Sequence, residues 1–215
     1  MCGRFASFKN LNKLKNIFDL NSNNFNVTSS YNVSPCTDVN VILNYEYQNY
    51  LLPTYWGYSF MNTNTQKKQI LINSRIETIN TKLLFKDSFL KRKCIIPANG
   101  YYEWSISGDE KKPYFVKLGD GELIYFAGVW RKENYKDDKR RVFSIITKEA
   151  NKNINKIHHR MPIILNANSA LEYLDNKNNN LLFDNFEEID LNFHEVSKYV
   201  NNPKNNDEKC IIPLN

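Results

Sequence analysis

The sequence predicts an α+β protein with a mainly antiparallel β-sheet, curled toward a barrel and flanked by helices. Three observations lead there. From residue 39 to residue 147, runs rich in β-branched and aromatic residues follow one another at short intervals. Helical spacing of apolar residues is confined to the flanks and to insertions between strands. No internal repeat imposes a different architecture.

In chain order, residues 8–20 place Leu11, Leu14, Ile17 and Phe18 at helical spacing, which predicts a short amphipathic helix. The polar stretch 21–30 reads as a loop. Residues 39–43 and 50–58 read as strands, and 61–68 as a flexible loop. A short strand ends over 70–73, and 76–91 reads as helical. The strand 94–96 is expected to halt at Pro97 and the Asn99-Gly100 turn signal, with 101–106 as its partner strand. After a turn over 107–112, strands are predicted at 114–118, 123–130 and 142–147. Helices are expected at 150–157 and 169–175, and edge strands at 196–199 and 210–213. One domain is expected over residues 1–215, decorated by Asn-rich insertions near 21–30, 61–68 and 175–181.

Composition narrows the class. Of 215 residues, 41% are hydrophobic, enough for a real core. No apolar run is long enough to span a bilayer. No basic segment followed by an apolar one opens the chain, so an intracellular location is expected: cytoplasm or nucleoid in a bacterium, nucleus in a eukaryote. Cys2, Cys36, Cys94 and Cys210 form no C-x-x-C pair and show no ligand spacing with His158, His159 or His194. Free thiols in a reducing compartment are therefore expected, with no metal site. A net charge of +6 permits a polyanionic partner, although a lysine-biased composition gives the same number. Against that Lys- and Asn-rich background, scarce residues stand out. Arg occurs seven times, at 4, 75, 92, 131, 140, 141 and 160, and several fall in short Asn-poor blocks.

Four blocks carry chemistry. The first is Met1-Cys2-Gly3-Arg4-Phe5. With Met1 removed, Cys2 carries an α-amine and a β-thiol on adjacent carbons. The amine condenses with an aldehyde to an imine, and the thiol then closes a thiazolidine ring. An α-amine of pKa about 7.7–8.0 has a free-base fraction near neutrality roughly several hundred times that of a lysine at about 10.4. Taken alone, Cys2 equally suits an ordinary small residue at a chain end.

The second block, Ile72-Asn73-Ser74-Arg75-Ile76-Glu77-Thr78, offers a carboxamide to hold an amine or a sugar oxygen and a guanidinium for phosphate. It also suits a strand end with a surface Arg75–Glu77 pair. The third runs from Arg92 to Trp104 and sets Glu103 between Tyr102 and Trp104, where burial raises a carboxyl pKa toward proton transfer. Trp104 can stack on a base. A hairpin with core aromatics explains the same residues, and alternation assigns one of Tyr101 and Tyr102 to the core. The fourth, His158-His159-Arg160-Met161-Pro162, supplies a candidate acid/base group. His194 reads as structural.

Together these blocks resemble the SOS-response-associated peptidase (SRAP) family. The family pattern begins Met-Cys-Gly-Arg, as here, and continues through Tyr31-Asn32-Val33-Ser34-Pro35, Trp56-Gly57 and Asn73 to Thr78. Pro97 to Trp104, Lys112-Pro113-Tyr114, Ala127-Gly128-Val129-Trp130, Ile146-Thr147 and His158 to Pro162 follow in the same order. After Trp56-Gly57 the family has an apolar pair and Pro, where this chain has Tyr58-Ser59-Phe60.

The resemblance implies capture of abasic sites in single-stranded DNA by a covalent crosslink. Carried over residue by residue, Cys2 is the nucleophile, Asn73 positions its amine or the opened sugar, Glu103 manages protons, and His158 is the acid/base group. Arg4, Pro35, Trp56, Arg75, Trp104, Thr147 and Arg160 are expected to contact DNA or organise the site. Autoproteolysis at the N-terminus and a weak strand-cleaving lyase reaction are implied as well, with no cofactor and a monomeric protein. Two other classes share features with the chain: an N-terminal-nucleophile glutamine amidotransferase, which also begins Met-Cys-Gly, and a non-catalytic reader of modified bases.

Overall fold

The computed structural model describes residues 2–8, 11–21, 29–108, 110–119, 121–175 and 189–214. Strand β1 is Arg4–Ser7, helix α1 Leu11–Phe18 and β2 Ser30–Val33. Then come β3 (Asp38–Tyr45), β4 (Gln48–Trp56), β5 (Tyr58–Asn62), β6 (Lys67–Leu71) and β7 (Asn73–Arg75). Two helices, α2 (Ile76–Ile79) and α3 (Leu83–Lys91), precede β8 (Lys93–Ala98), β9 (Gly100–Ser107), β10 (Glu110–Lys117), β11 (Ile124–Tyr135) and β12 (Asp138–Glu149). The described chain ends with β13 (Arg160–Pro162), β14 (Ile164–Leu165), α4 (Ala167–Asp175) and β15 (Asn192–Glu195), with short 3₁₀ turns at Ile154–Lys156, Lys198–Asn201 and Glu208–Cys210.

The expected antiparallel, barrel-like sheet is what forms. β3 pairs with β4 and β8, β8 with β11, and β11 with β12, all antiparallel, and β12 returns to β4 through a parallel pairing of Val142 with Tyr55. The circuit closes a five-stranded barrel, which leaves these strands no free edge to pair with another chain. Alternation sorts their side chains. Val41, Leu43, Trp56, Cys94, Ile96, Phe126, Phe143 and Ile145 share one core cluster. Their neighbours Ile42, Ile95, Ala127, Val129, Val142 and Ile146 share another with the apolar faces of α1, α3 and α4. Gly128 is required at a tight point, because a Cβ there would lie 2.6 Å from Ile96 Cδ1 and 2.9 Å from Cys94 Sγ.

A second, five-stranded sheet runs β15-β10-β9-β1-β2. Its Phe5, Tyr101 and Val116 join the first cluster, so the N-terminal strand is packed onto the barrel rather than left loose.

Several expectations need correction. Asn99-Gly100 does not close a hairpin: β8 belongs to the barrel and β9 to the second sheet. Strand β8 continues through Pro97 to Ala98. Asn99 instead takes the corner between sheets, its N–H donating to Ala6 O at 2.8 Å and its Oδ1 accepting from Phe8 N at 2.8 Å. Residues 61–68 are the end of an ordered hairpin, pairing Met61 with Lys68 and Asn62 with Lys67; Asn62 Oδ1 accepts from Asn64 N and Thr65 N and sets the turn. The 76–91 helix is broken at 80–82, where Thr81 Oγ1 bonds back to Thr78 O. At 150–157 only a 3₁₀ turn forms. The predicted edge strand at 196–199 is a 3₁₀ turn entered through Ser197, whose side chain accepts from Tyr199 N. At 210–213 a single bridge, Val196 to Pro213, is all that remains of the other. Most of the insertions at 21–30 and 175–181 lies outside the described residues.

Candidate active site

Cys2 lies two residues before β1 begins and is fully buried in the cluster that lines the barrel. Strand β1 is held on both sides, by β2 and by β9, in a register that sets Arg4 opposite Tyr102 and Phe5 opposite Tyr101. The chain start is therefore anchored to the strand that carries Glu103. Asn73 opens β7, which lies parallel to β12 with Asn73 opposite Ile145. Its Nδ2 donates to the Cys2 carbonyl oxygen at 2.9 Å, while its Oδ1 is buried without a protein partner.

Glu103 is only 2% exposed. Burial raises its pKa, against the opposing pull of the N-terminal ammonium. Burial, and secondly the Glu103 charge, push the Cys2 thiol well up, so it rests protonated. A proton-accepting carboxyl and a buried thiol thus sit within each other's field.

His158 follows the 3₁₀ turn and is half-buried. Its Nδ1 lies 2.9 Å from the Arg160 N–H, which donates to it, and 3.2 Å from the Arg160 carbonyl oxygen, so the backbone of Arg160 fixes the ring's orientation. Burial, then the positive N-terminus, bring His158 down to about 4. The ring is therefore neutral at physiological pH in the free protein. Neutralising that ammonium, or bringing a phosphate close, raises it again. His159 is exposed and stacks on His158 at 4.4 Å between ring centroids.

The four residues expected to do chemistry thus come from the chain start, β7, β9 and the turn before β13, and their contacts and electrostatics converge on the N-terminus. The seven expected DNA or site-organising residues divide. Arg75 is exposed two positions after Asn73, Pro35 is half-buried in a turn, and Trp104 is half-buried next to Glu103. Trp104 Nε1 donates to Asn201 Oδ1 at 2.8 Å, and Lys111 Nζ lies 5.4 Å from its ring centroid.

The other four face inward. Trp56 has no exposed surface; it packs on Phe5 and Phe143 and donates to Ile72 O, so it is core rather than a base contact. Arg4 donates through Nη1 to Asn32 Oδ1 and Val200 O, tying β1 to β2 and the C-terminal turn. Thr147 is fully buried, and its hydroxyl donates to Ser74 O. Arg160 is 6% exposed and forks onto Glu77 at 2.6 and 3.0 Å while donating to Thr147 O at 2.8 Å. These side chains are engaged in contacts within the protein. The alternative reading of this block, a surface Arg75–Glu77 pair, is not what forms: the partner of Glu77 is 83 residues away, a link no local spacing encodes.

Among the described residues no group of three or more His, Cys, Asp or Glu is arranged to hold a metal, and Cys2, Cys36, Cys94 and Cys210 are free thiols. No helix there is long and apolar enough to cross a membrane.

The family model described as SOS response associated peptidase (SRAP) matches residues 1–203. The chain belongs to the SRAP family. Its SRAP relatives include the abasic site processing protein YoqW of Bacillus subtilis, 32% identical over 98% of this chain and 99% of that protein. They also include YedK of Escherichia coli, 30% identical over 86% and 84%, and HMCES of Gallus gallus, 28% identical over 66% of this chain and 50% of that protein; both are named abasic site processing proteins. A crystal structure of a Bacteroides thetaiotaomicron protein shares the fold, with a TM-score of 0.81 over 99% of this chain and all of that one at 22% identity. The barrel with its second sheet is thus the SRAP fold anticipated from the sequence.

Proposed function

We propose that this SRAP protein recognises abasic sites in single-stranded DNA and joins itself to them through Cys2 once Met1 is removed. The carrying observation is the burial of Cys2 within electrostatic reach of the buried Glu103, with Asn73 bonded to its carbonyl and His158 in the field of the chain start. The names of the relatives supply the substrate class. Removal of Met1 is essential, because while it is attached the Cys2 nitrogen is an amide and no nucleophile.

The freed amine attacks the C1′ aldehyde of the opened sugar to give a carbinolamine, which loses water to become an imine. The thiol then adds to C1′, its proton ends on the ring nitrogen, and a thiazolidine closes; one water is released overall. Glu103 takes and returns the thiol and amine protons, as its raised pKa suits. His158 donates a proton to the carbinolamine oxygen as it departs as water. Asn73 holds Cys2, and its partnerless Oδ1 accepts from the amine. Arg75 and Trp104 contact backbone and bases. An imine that loses a C2′ proton before the thiol closes on it expels the 3′ phosphate by β-elimination, which gives the weak lyase activity.

Intact mass of the purified protein, with and without an abasic oligonucleotide, tests the proposal. The expected product weighs protein plus DNA minus one water and starts at Cys2. Cys2→Ala retains an amine but forms no adduct stable to denaturation without a reductant. A stable adduct from that variant overturns the thiazolidine. Glutamine hydrolysis without any adduct would indicate an amidotransferase, and salt-sensitive binding alone a non-catalytic reader.

A further inference from the structure

We infer that Glu77 is a positioning residue for the crosslinking reaction, acting through Arg160 on the turn that presents His158. The inference rests on the proposed function above. Thr147, near the end of β12, lies between two strands: it faces Arg75 of β7 on one side and Pro162 of β13 on the other. β7 opens with Asn73, which holds Cys2. β13 opens with Arg160, whose backbone N–H holds His158 Nδ1. The two halves of the site are thus carried by strands that do not pair with each other.

Glu77 and Arg160 join them. Glu77 stands in α2, directly after β7, and both its oxygens accept from Arg160, which also donates to the Thr147 carbonyl between them. A bidentate guanidinium–carboxylate pair fixes orientation as well as distance. The Arg160 end is 7% exposed and the Glu77 end 45%, so the clamp closes from the rim over a buried cation. Arg160 draws Glu77 below the usual carboxylate range, so the clamp remains ionised at neutral pH. Breaking it frees β13 to shift against β7, and the His158 turn loses its fixed placement relative to the strand that holds Cys2 through Asn73, while both side chains remain intact.

The test is a double-mutant cycle on single-turnover crosslinking with Glu77→Gln and His158→Ala, Glu77→Asp serving as the conservative variant. Glu77→Gln keeps the size and one acceptor of the carboxylate, and melting temperature reports whether it folds. The expected result is about a tenfold slower rate in Glu77→Gln, the rate equivalent of one weakened charge-assisted contact, with partial rescue in Glu77→Asp. In the His158→Ala background the same change costs less than about twofold, since residues acting as a unit are not additive. The His158 ring titration in NMR should shift in Glu77→Gln, because both the burial of the ring and the field of Arg160, now without its counter-charge, change. Equal, additive losses in both backgrounds, or an unchanged rate and His158 titration, overturn the inference. Should Glu77→Gln fail to fold, Glu77→Asp carries the same cycle and the same criteria. A wild-type protein that forms no adduct refutes the proposed function instead, so the two failures are distinguishable.

Discussion

Asn73→Ala isolates one contact in the site. The Asn73 Nδ2 bond to the Cys2 carbonyl is 2.9 Å long and partly buried. Removing a neutral donor and leaving a buried carbonyl unpaired costs about 1–3 kcal/mol. Cys2 lies just outside β1, so most of that cost frays the chain start instead of unfolding the barrel. If the held conformation is the reactive one, the penalty enters the rate directly, at about tenfold per 1.36 kcal/mol. Crosslinking should slow roughly 5- to 150-fold. The assay is a single-turnover time course of Met1-processed protein on abasic oligonucleotide, quenched and resolved on a denaturing gel. Melting temperature and affinity for undamaged single strands serve as controls. Asn73→Asp sharpens the test: it keeps the shape, loses the donor and adds a negative charge near Glu103, so it should be slower than Asn73→Ala at neutral pH and recover toward acid. A normal rate in Asn73→Ala, with folding and binding intact, refutes the positioning role.

His158→Ala should slow crosslinking roughly 10²-fold, within the range of general acid–base catalysis, and His159→Ala, whose ring is exposed, should leave the rate nearly intact; the reverse order, read from the same time courses, would give His159 the catalytic role. Glu103→Gln should abolish the limb of the pH–rate profile that reports the raised carboxyl. A carboxyl whose folded pKa is raised stabilises the fold at low pH and loses that contribution as pH rises through the folded value. Thermal melts should therefore find Glu103→Gln more stable than wild type at neutral pH, with the gap closing toward acid. Noncovalent binding to undamaged single strands should weaken with salt, at a slope of about −0.7 per neutralised phosphate, whereas a preformed crosslink should survive the same salt on a gel.

Local pattern carried part of the site a long way. Glu103 lies between two aromatics in the sequence, and burial raises its pKa as that setting suggested. The amphipathic spacing around Leu14 and Phe18 forms a helix that buries both residues. Where local pattern misled, a distant partner had intervened. Asn99-Gly100 has the chemistry of a two-residue turn, but Ala6 and Phe8 of the N-terminal segment take the Asn99 hydrogen bonds and the chain passes into another sheet. Trp56 and Thr147 lie in motifs of the expected DNA-binding set, yet both side chains are spent on the core. A motif records that a residue is needed without saying whether it touches the ligand or holds the residue that does. Tyr101 and Tyr102 were expected to divide between core and surface; both are buried, because the two faces of β9 are covered by different clusters.

What the sequence by itself determined is the chemistry on offer: a thiol at the second residue, a carboxyl between aromatics, and nine ordered blocks that identify the SRAP family. Those properties are covalent or local, so they can be read along the chain. The tertiary structure alone decided which residues meet. Asn73 reaches Cys2, and Glu103 comes within its field, through strand pairings between distant segments, and Arg160 finds Glu77 across 83 residues through the strands on either side of Thr147. Those pairings are long-range strand registers, which no single stretch of sequence contains.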